Sequence, residues 1–299
     1  MKIAVTGAGG FIGRHLVPTL REEHEVLALT RQTSSATDSA AGAVHTDYSL
    51  EQLRQLLPGC DALIHLAAQR PYAGENAQIL ENGLLDYRIF QAAEDCGVRH
   101  VVYISTRGVY GKQPTPWSEA TPPAPGTLYA VAKLHSEETA AYFLRRGLCI
   151  TTLRLAQIFG LGEYDGSAIT TFLKSAYQGM PIHLTVTGVR REYLYVRDVV
   201  GAMQRVLAHP LSGIYNLGSG EITSLEDMAL AIVSAFGQQG NILKQENPRD
   251  LGEYSLMDST KFRESFSWTP RWSFAEAAKD IARTLEDKET ARRYGLSIN

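Results

Sequence analysis

The chain has little that could crosslink it, anchor it or load it with charge. Only three of its 299 residues are cysteine, Cys60, Cys96 and Cys149, and they stand far apart. Their odd number and wide spacing exclude a disulfide framework, and no Cys-x-x-Cys or Cys/His spacing suits a metal. Reduced, buried thiols in a cytoplasmic protein are expected. No apolar run approaches the ~20 residues needed to cross a bilayer. The opening MKIAVTGAGG is too short and too glycine-rich for a signal peptide, so none is expected. An excess of one charge is missing too. With 29 basic and 32 acidic residues the net charge is -3, which argues against nucleic-acid or anionic-membrane partners. Repeats, low-complexity tracts and obvious linkers are absent.

What is present is an alternation of strand and helix signals. The hydrophobic fraction of 44% supports a sizeable core, in one large α/β domain or two smaller ones. Apolar runs at 2–6, 25–30, 43–46, 61–67, 100–105 and 149–155 read as strands. Helical spacing follows at 11–22, 49–57, 76–96 and 128–146, with Ser49 as an N-cap. Continuous apolar strands alternating with helices predict a doubly wound parallel sheet of Rossmann type. The second half is less regular, with one strand signal at 213–218 and helices near 168–178, 198–208, 224–236 and 274–286. The expected division is a dinucleotide-binding domain at 1–155, to which 193–217 returns. A smaller interleaved C-terminal substrate domain would comprise 156–192 and 218–299.

Between the first strand and first helix lies VTGAGGFIG, with Gly7, Gly10 and Gly13 three apart. It is a variant of the Gly-x-Gly-x-x-Gly phosphate loop. Glycine lets the backbone approach a pyrophosphate, and the N–H groups at the helix start, near Phe11 and Ile12, supply donors and positive potential. Glycines also simply make turns, but the strand before and the helix after supply the confirming context. The second strand ends Leu29-Thr30-Arg31-Gln32, with no acid to bind the ribose 2′-hydroxyl of NAD. Arg31 suits a 2′-phosphate, which favours NADP over NAD, against the alternative of a solvated surface arginine. Asp47, with Tyr48 beside it, is a candidate for the adenine end; its alternative is a turn or N-cap acid.

Tyr129 and Lys133 lie four apart on a helix, hence on one face. An ammonium near a phenol favours the phenolate, lowering a pKa that starts near ~10. Such a tyrosine can exchange a proton with a sugar hydroxyl while hydride moves to or from a nicotinamide. In isolation the pair would read as an ordinary amphipathic helix; after the glycine loop it does not.

TGAGGFIG, HLAA (65–68), STRGVYG and YAVAK (129–133) occur in that order, followed by LRLAQIFG, RREYLYVRDV, IYNLGSG and MDSTKFRESFSWTP. The chain resembles the extended short-chain dehydrogenase/reductase family, the NAD-dependent epimerase/dehydratases of nucleotide sugars, over nearly its whole length. The resemblance implies catalytic roles for Thr106, Tyr129 and Lys133, with Ser105 as neighbour. It places Leu66, Ala67 and Ala68 under the cofactor, with Arg70 reaching its phosphate. His65 reads as a satisfied structural histidine, and Asn82 matches an asparagine behind the active site. Gln157, Arg191, Asn216 and Arg249 would meet a nucleotide-diphosphate sugar, Arg191 and Arg249 through their bidentate forks. Each of these arginines could instead be solvated, and Asn216 could hold only a turn. Relatives pair through helices matching 76–96 and 128–146, so a homodimer is expected.

The reactions within this resemblance share hydride transfer at a sugar carbon, C4, with Tyr129 handling the proton. A 4,6-dehydratase adds an acid and a base, carried as Asp-Glu after the Thr. Here Arg107 and Gly108 follow Thr106, which disfavours dehydration. A 4-epimerase that keeps its cofactor leads, and an NADPH-dependent 4-keto-sugar reductase follows closely. Leu128, where a proline often precedes the Tyr, and Gln157, where Asn is usual, depart from the pattern. A non-catalytic dinucleotide sensor would have lost Tyr129 or Lys133, and both are present.

Overall fold

The protein is described by a computed structural model over residues 1–31, 42–69 and 77–296. Seven parallel strands form the main sheet: β1 (Lys2–Thr6), β2 (Glu25–Thr30), β3 (Val44–His45), β4 (Ala62–His65), β5 (His100–Thr106), β6 (Cys149–Leu155) and β9 (Gly213–Leu217). Their spatial order is β3-β2-β1-β4-β5-β6-β9. The order reverses between β1 and β4, and such a switch point opens a crevice at the strands' carboxyl ends. β1 and β4 are buried almost throughout because helices cover both faces. On one face, Leu16 and Val17 of α1 (Phe11–Arg21) pack with Val199 and Met203 of α6 (Val196–Ala208). On the other, Leu53 of α2 (Leu50–Leu56) joins Ile89 and Phe90 of α3 (Glu81–Asp95) and Phe143 of α4 (Leu128–Arg145).

Helix starts follow their capping chemistry. Ser49 accepts from Gln52 N at α2 and Thr127 from Ala130 N at α4. Reciprocal Ser–acid capping boxes open α7 (Leu225–Ala235) and α9 (Phe274–Thr284). α5 (Ala168–Tyr177) begins behind the Ser167 cap. α3 and α4 lie close, because a Cβ at Gly83 would come 2.8 Å from His135 Cδ2.

The second half departs from the sequence expectation. Two 14-residue strands, β8 (Ile182–Tyr195) and β11 (Ile242–Ser255), pair in parallel. β10 (Ile222–Ser224) flanks β8 antiparallel, and β7 (Gln157–Phe159) also pairs with it. β11 carries Pro248 and Gly252, which read as strand breakers, and both fall where its register shifts. Bulges absorb the residues that hid the strand. Short helices α8 (Thr260–Phe266) and α10 (Lys288–Arg293) close the chain. Cys60 is buried as expected, whereas Cys96 and Cys149 are only half-buried; all three are free.

Candidate active site

The glycine loop turns at Gly7, whose φ is +66°. A Cβ there would lie 2.7 Å from Ala67 N, and one at Gly13 would lie 2.5 Å from Gly7 O. Only glycine allows the loop to press against β4 and fold back on α1. Arg14 Nε donates to Gly9 O at 2.8 Å and pins the turn. Among the described residues, no side chain caps α1. The first-turn N–H groups therefore lack intrahelical carbonyls and form an anion-binding end. This cradle, which a Cβ would fill, fits a dinucleotide pyrophosphate.

A cavity of about 290 Å³ opens beside it at the carboxyl ends of the strands. Its floor is Gly7, Gly10, Phe11, Ile12 and Gly13; Leu66 and Ala68 follow β4; Thr106 ends β5; Tyr129 and Lys133 come from α4. Thr106 Oγ1 accepts from Gly108 N at 3.1 Å, capping a short 3-10 helix over Arg107–Tyr110. With an acceptor site so occupied, its own proton is free for a ligand oxygen. Among the described residues, no carboxylate lines this cavity.

Lys133 is held from behind by a buried polar chain. Its Nζ donates to Tyr103 Oη at 3.2 Å and stands 3.7 Å from Asp86 Oδ2. Tyr103 Oη donates to Asp86 Oδ2 at 2.7 Å, and His65 Nε2 meets Asp86 Oδ1 at 2.7 Å. Thr6 Oγ1, 2.7 Å from His65 Nδ1, completes the chain. Burial pushes the Asp86 carboxyl up, but Lys133 and His65 outweigh it and hold the group well below the usual carboxylate range. Burial, then Asp86, push the Tyr103 phenol well above its ordinary value, so it stays a neutral donor. Lys133 thus faces the cavity as an ammonium oriented by fixed partners.

The chain matches the NAD dependent epimerase/dehydratase family over residues 3–218, most of its length and all of the main sheet. The protein belongs to that family. It is an enzyme of the extended short-chain dehydrogenase/reductase type. It is 29% identical to dTDP-glucose 4,6-dehydratase of Streptomyces niveus, over 96% of this chain and 93% of that one. The UDP-N-acetylglucosamine 4-epimerase of Bacillus cereus superposes with a TM-score of 0.85 at 30% identity, covering 96% of this chain and 97% of the other. A UDP-glucose 4-epimerase from Thermotoga maritima, solved with UDP-glucose, gives 0.86 at 25% identity, over 97% and 100%.

This epimerase/dehydratase brings ten of the sequence-predicted residues to one cavity: Gly7, Gly10, Phe11, Ile12, Gly13, Leu66, Ala68, Thr106, Tyr129 and Lys133. Ala67 lies just behind, its N–H on Thr6 Oγ1. Ile104, Leu155, Ala156 and Ile158 also line it. Their position at strand carboxyl ends is the signal that could have found them. Arg31 and Asp47 meet at a separate cavity of about 320 Å³ with Asn82 and Arg88. Asp47 is exposed and also accepts from Ser49 N at 2.7 Å, so the turn role is filled. Asn82 holds the backbone of Gln69 through both amide atoms. Arg70 lies outside the described residues.

Two expectations need correction. Tyr48 is buried, and its hydroxyl is committed to Gly7 N and Leu29 O, both at 2.9 Å, so it braces the glycine loop from beneath. Asn216 is fully buried, with Nδ2 on Trp117 O and Asp258 O and Oδ1 on Tyr110 Oη, so it ties β9 to neighbouring loops and cannot reach a nucleotide. Arg249 pairs with Val186, five residues along β8 from Arg191, or roughly 16 Å of strand. Gln157, in β7, pairs with Tyr193 and stands between Ala156 and Ile158, which line the cavity. Ser105 also lines the cavity, and its hydroxyl proton is engaged: it donates to Glu137 Oε1 at 2.5 Å, and Glu137 is forked by Arg154.

Proposed function

We propose that this enzyme is a nucleotide-sugar 4-epimerase acting through a 4-keto intermediate. The observation that carries this is a cavity holding Thr106, Tyr129 and Lys133 with, among the described residues, no carboxylate on its wall. Oxidation and reduction at C4 need one proton carrier, whereas removal of water needs a further acid and base. A bound NAD would supply the hydride acceptor and donor for C4, held by the glycine loop and by Lys133.

The N–H groups at the start of α1 hold the pyrophosphate, and Asp47 lies at the adenine end. Thr106 donates to the C4 oxygen. Tyr129 takes the proton from that oxygen and later restores it. Lys133, fixed by Tyr103 and Asp86, stabilises the phenolate and bonds the nicotinamide ribose. Ile12, Leu66, Ile104 and Ile158 keep water from the reacting carbon. Arg191, paired with Glu253, meets the diphosphate from the adjoining second sheet, which forms the substrate-facing region.

A second reading is an NADPH-dependent reductase of 4-keto sugars. It is favoured by Arg31, exposed over the Tyr48 ring at 5.7 Å, and by Arg88 on the same cavity wall, a pair suited to a 2′-phosphate. Identification of the cofactor bound to purified protein, followed by turnover stoichiometry, separates them. Retained NAD with no net oxidation supports the epimerase; stoichiometric NADPH oxidation by a 4-keto sugar supports the reductase.

A homodimer through α3 and α4 completes the proposal. Leu84 and Tyr87 on α3, and Val131 and Tyr142 on α4, are between 42% and 53% exposed. Such apolar stripes suit a four-helix contact. The three free thiols fit a reducing cytoplasm, and no described helix is long and apolar enough to cross a membrane.

A further inference from the structure

Arg107 follows Thr106 directly and begins the 3-10 helix. It is half-buried and lines a cavity of about 570 Å³ with Trp117, Arg191, Glu253 and Tyr254. Among the described residues, no carboxylate stands within ion-pair distance of its guanidinium. The acids facing it are already engaged. Glu253 is paired with Arg191. Glu192 accepts from Gly220 N at 2.6 Å and Met257 N at 3.1 Å. Burial, then the like charge of Arg191, disfavour the Arg107 cation, yet an arginine stays protonated in any such setting. Among the described residues, then, a partly desolvated cation next in sequence to Thr106 has no carboxylate in contact with it, and Glu192 and Glu253 act on it only from farther off. That arrangement is costly unless a ligand anion repays it.

We propose that Arg107 recognises a carboxylate carried by the hexose, so that the preferred substrate is a nucleotide hexuronate rather than a neutral hexose. This rests on the reading that Thr106 binds the C4 oxygen. Arg107 follows Thr106 in the chain and opens onto the cavity it shares with Arg191; a hexose held at Thr106 through its C4 oxygen and at Arg191 through its diphosphate would carry its C5–C6 end past that guanidinium. Its planar fork matches the two oxygens of a C6 carboxylate. Arg191, farther along β8 and already paired, is left to the diphosphate.

The test is calorimetric titration of the NAD-loaded enzyme and of Arg107→Gln with UDP- and dTDP-linked glucose and glucuronate. The wild type is expected to bind the glucuronate of its preferred nucleotide about tenfold to a hundredfold more tightly than the glucose. In Arg107→Gln the two affinities converge, and Arg107→Lys, which keeps charge without the fork, falls between. Equal affinities in the wild type, or an equal loss for both sugars in Arg107→Gln, would overturn the inference. Equal loss would place Arg107 on the diphosphate and leave the nucleotide-sugar reading standing. Failure to bind any of the four would overturn both.

Discussion

Asp86 Oδ2 lies 3.7 Å from Lys133 Nζ, and Tyr103 is hydrogen-bonded to both. The carboxylate is fully buried and reaches no ligand, so it acts on the reaction only through the lysine it positions. Asp86→Ala strands a buried ammonium and is expected to cost about 3–5 kcal/mol of stability. Asp86→Asn keeps the shape while removing the charge. Its kcat should fall about tenfold with substrate KM little changed, because the cavity wall is preserved. Urea unfolding and steady-state kinetics check the two expectations; a KM effect without a kcat effect would contradict the positioning role.

Thr106 already accepts from Gly108 N–H, so its proton is the part left for the substrate. Thr106→Ser should retain most turnover. Thr106→Val, of similar size, should lose roughly 1.5–3 kcal/mol of transition-state stabilisation, about tenfold to a hundredfold in kcat/KM. Equal activity of the Ser and Val variants would remove the hydroxyl from the mechanism.

Gly7→Ala places a side chain in left-handed backbone and against the Ala67 amide. Strain of about 1–2 kcal/mol is expected, together with displacement of the pyrophosphate cradle. NAD affinity, followed by fluorescence titration, should drop at least tenfold. An unaltered affinity would mean that the loop does not carry the cofactor.

His100 links stability to pH. Its Nε2 meets Thr151 Oγ1 at 2.8 Å, while that hydroxyl donates its only proton to Leu211 O at 2.6 Å. Nε2 must therefore be the donor, and burial alone holds the ring's pKa at about 4. The group is neutral in the fold, whereas the unfolded chain takes up a proton near ~6.5. Its contribution is thus complete above that value and is lost as pH falls towards about 4, by at most about 3 kcal/mol. Urea midpoints measured from pH 7 to 4.5 should decline, and His100→Gln should flatten the decline. His15, also depressed by burial, keeps a residual slope in the same direction.

The main sheet and the helix that carries Tyr129 and Lys133 were legible because each carries two agreeing signals. β1 and β5 are continuous apolar runs that end in residues with a special task, the glycine loop and Ser105-Thr106. β8 and β11 gave no such agreement. Gly188 interrupts one strand and Asn247, Pro248 and Gly252 the other, and only bulges and pairing in three dimensions make them strands. The same limit hid the supporting residues. Asp86 carried no signal in the sequence, and its role appears only where it meets Tyr103 of β5. Asn216 reads as a ligand contact until its amide is found spent on Trp117 and Asp258. Partners distant in sequence decide these roles, and periodicity holds no record of them.

Conversion of a nucleotide hexose or hexuronate to its C4 epimer, followed by NMR in wild type and Tyr129→Phe, tests the proposed chemistry most directly. The wild type should reach an equilibrium mixture of the two epimers with no net change in cofactor. Tyr129→Phe should be slower by about 10²–10⁴-fold, with the substrate still bound. Unchanged turnover in Tyr129→Phe, or consumption of reduced cofactor in step with product, would contradict it.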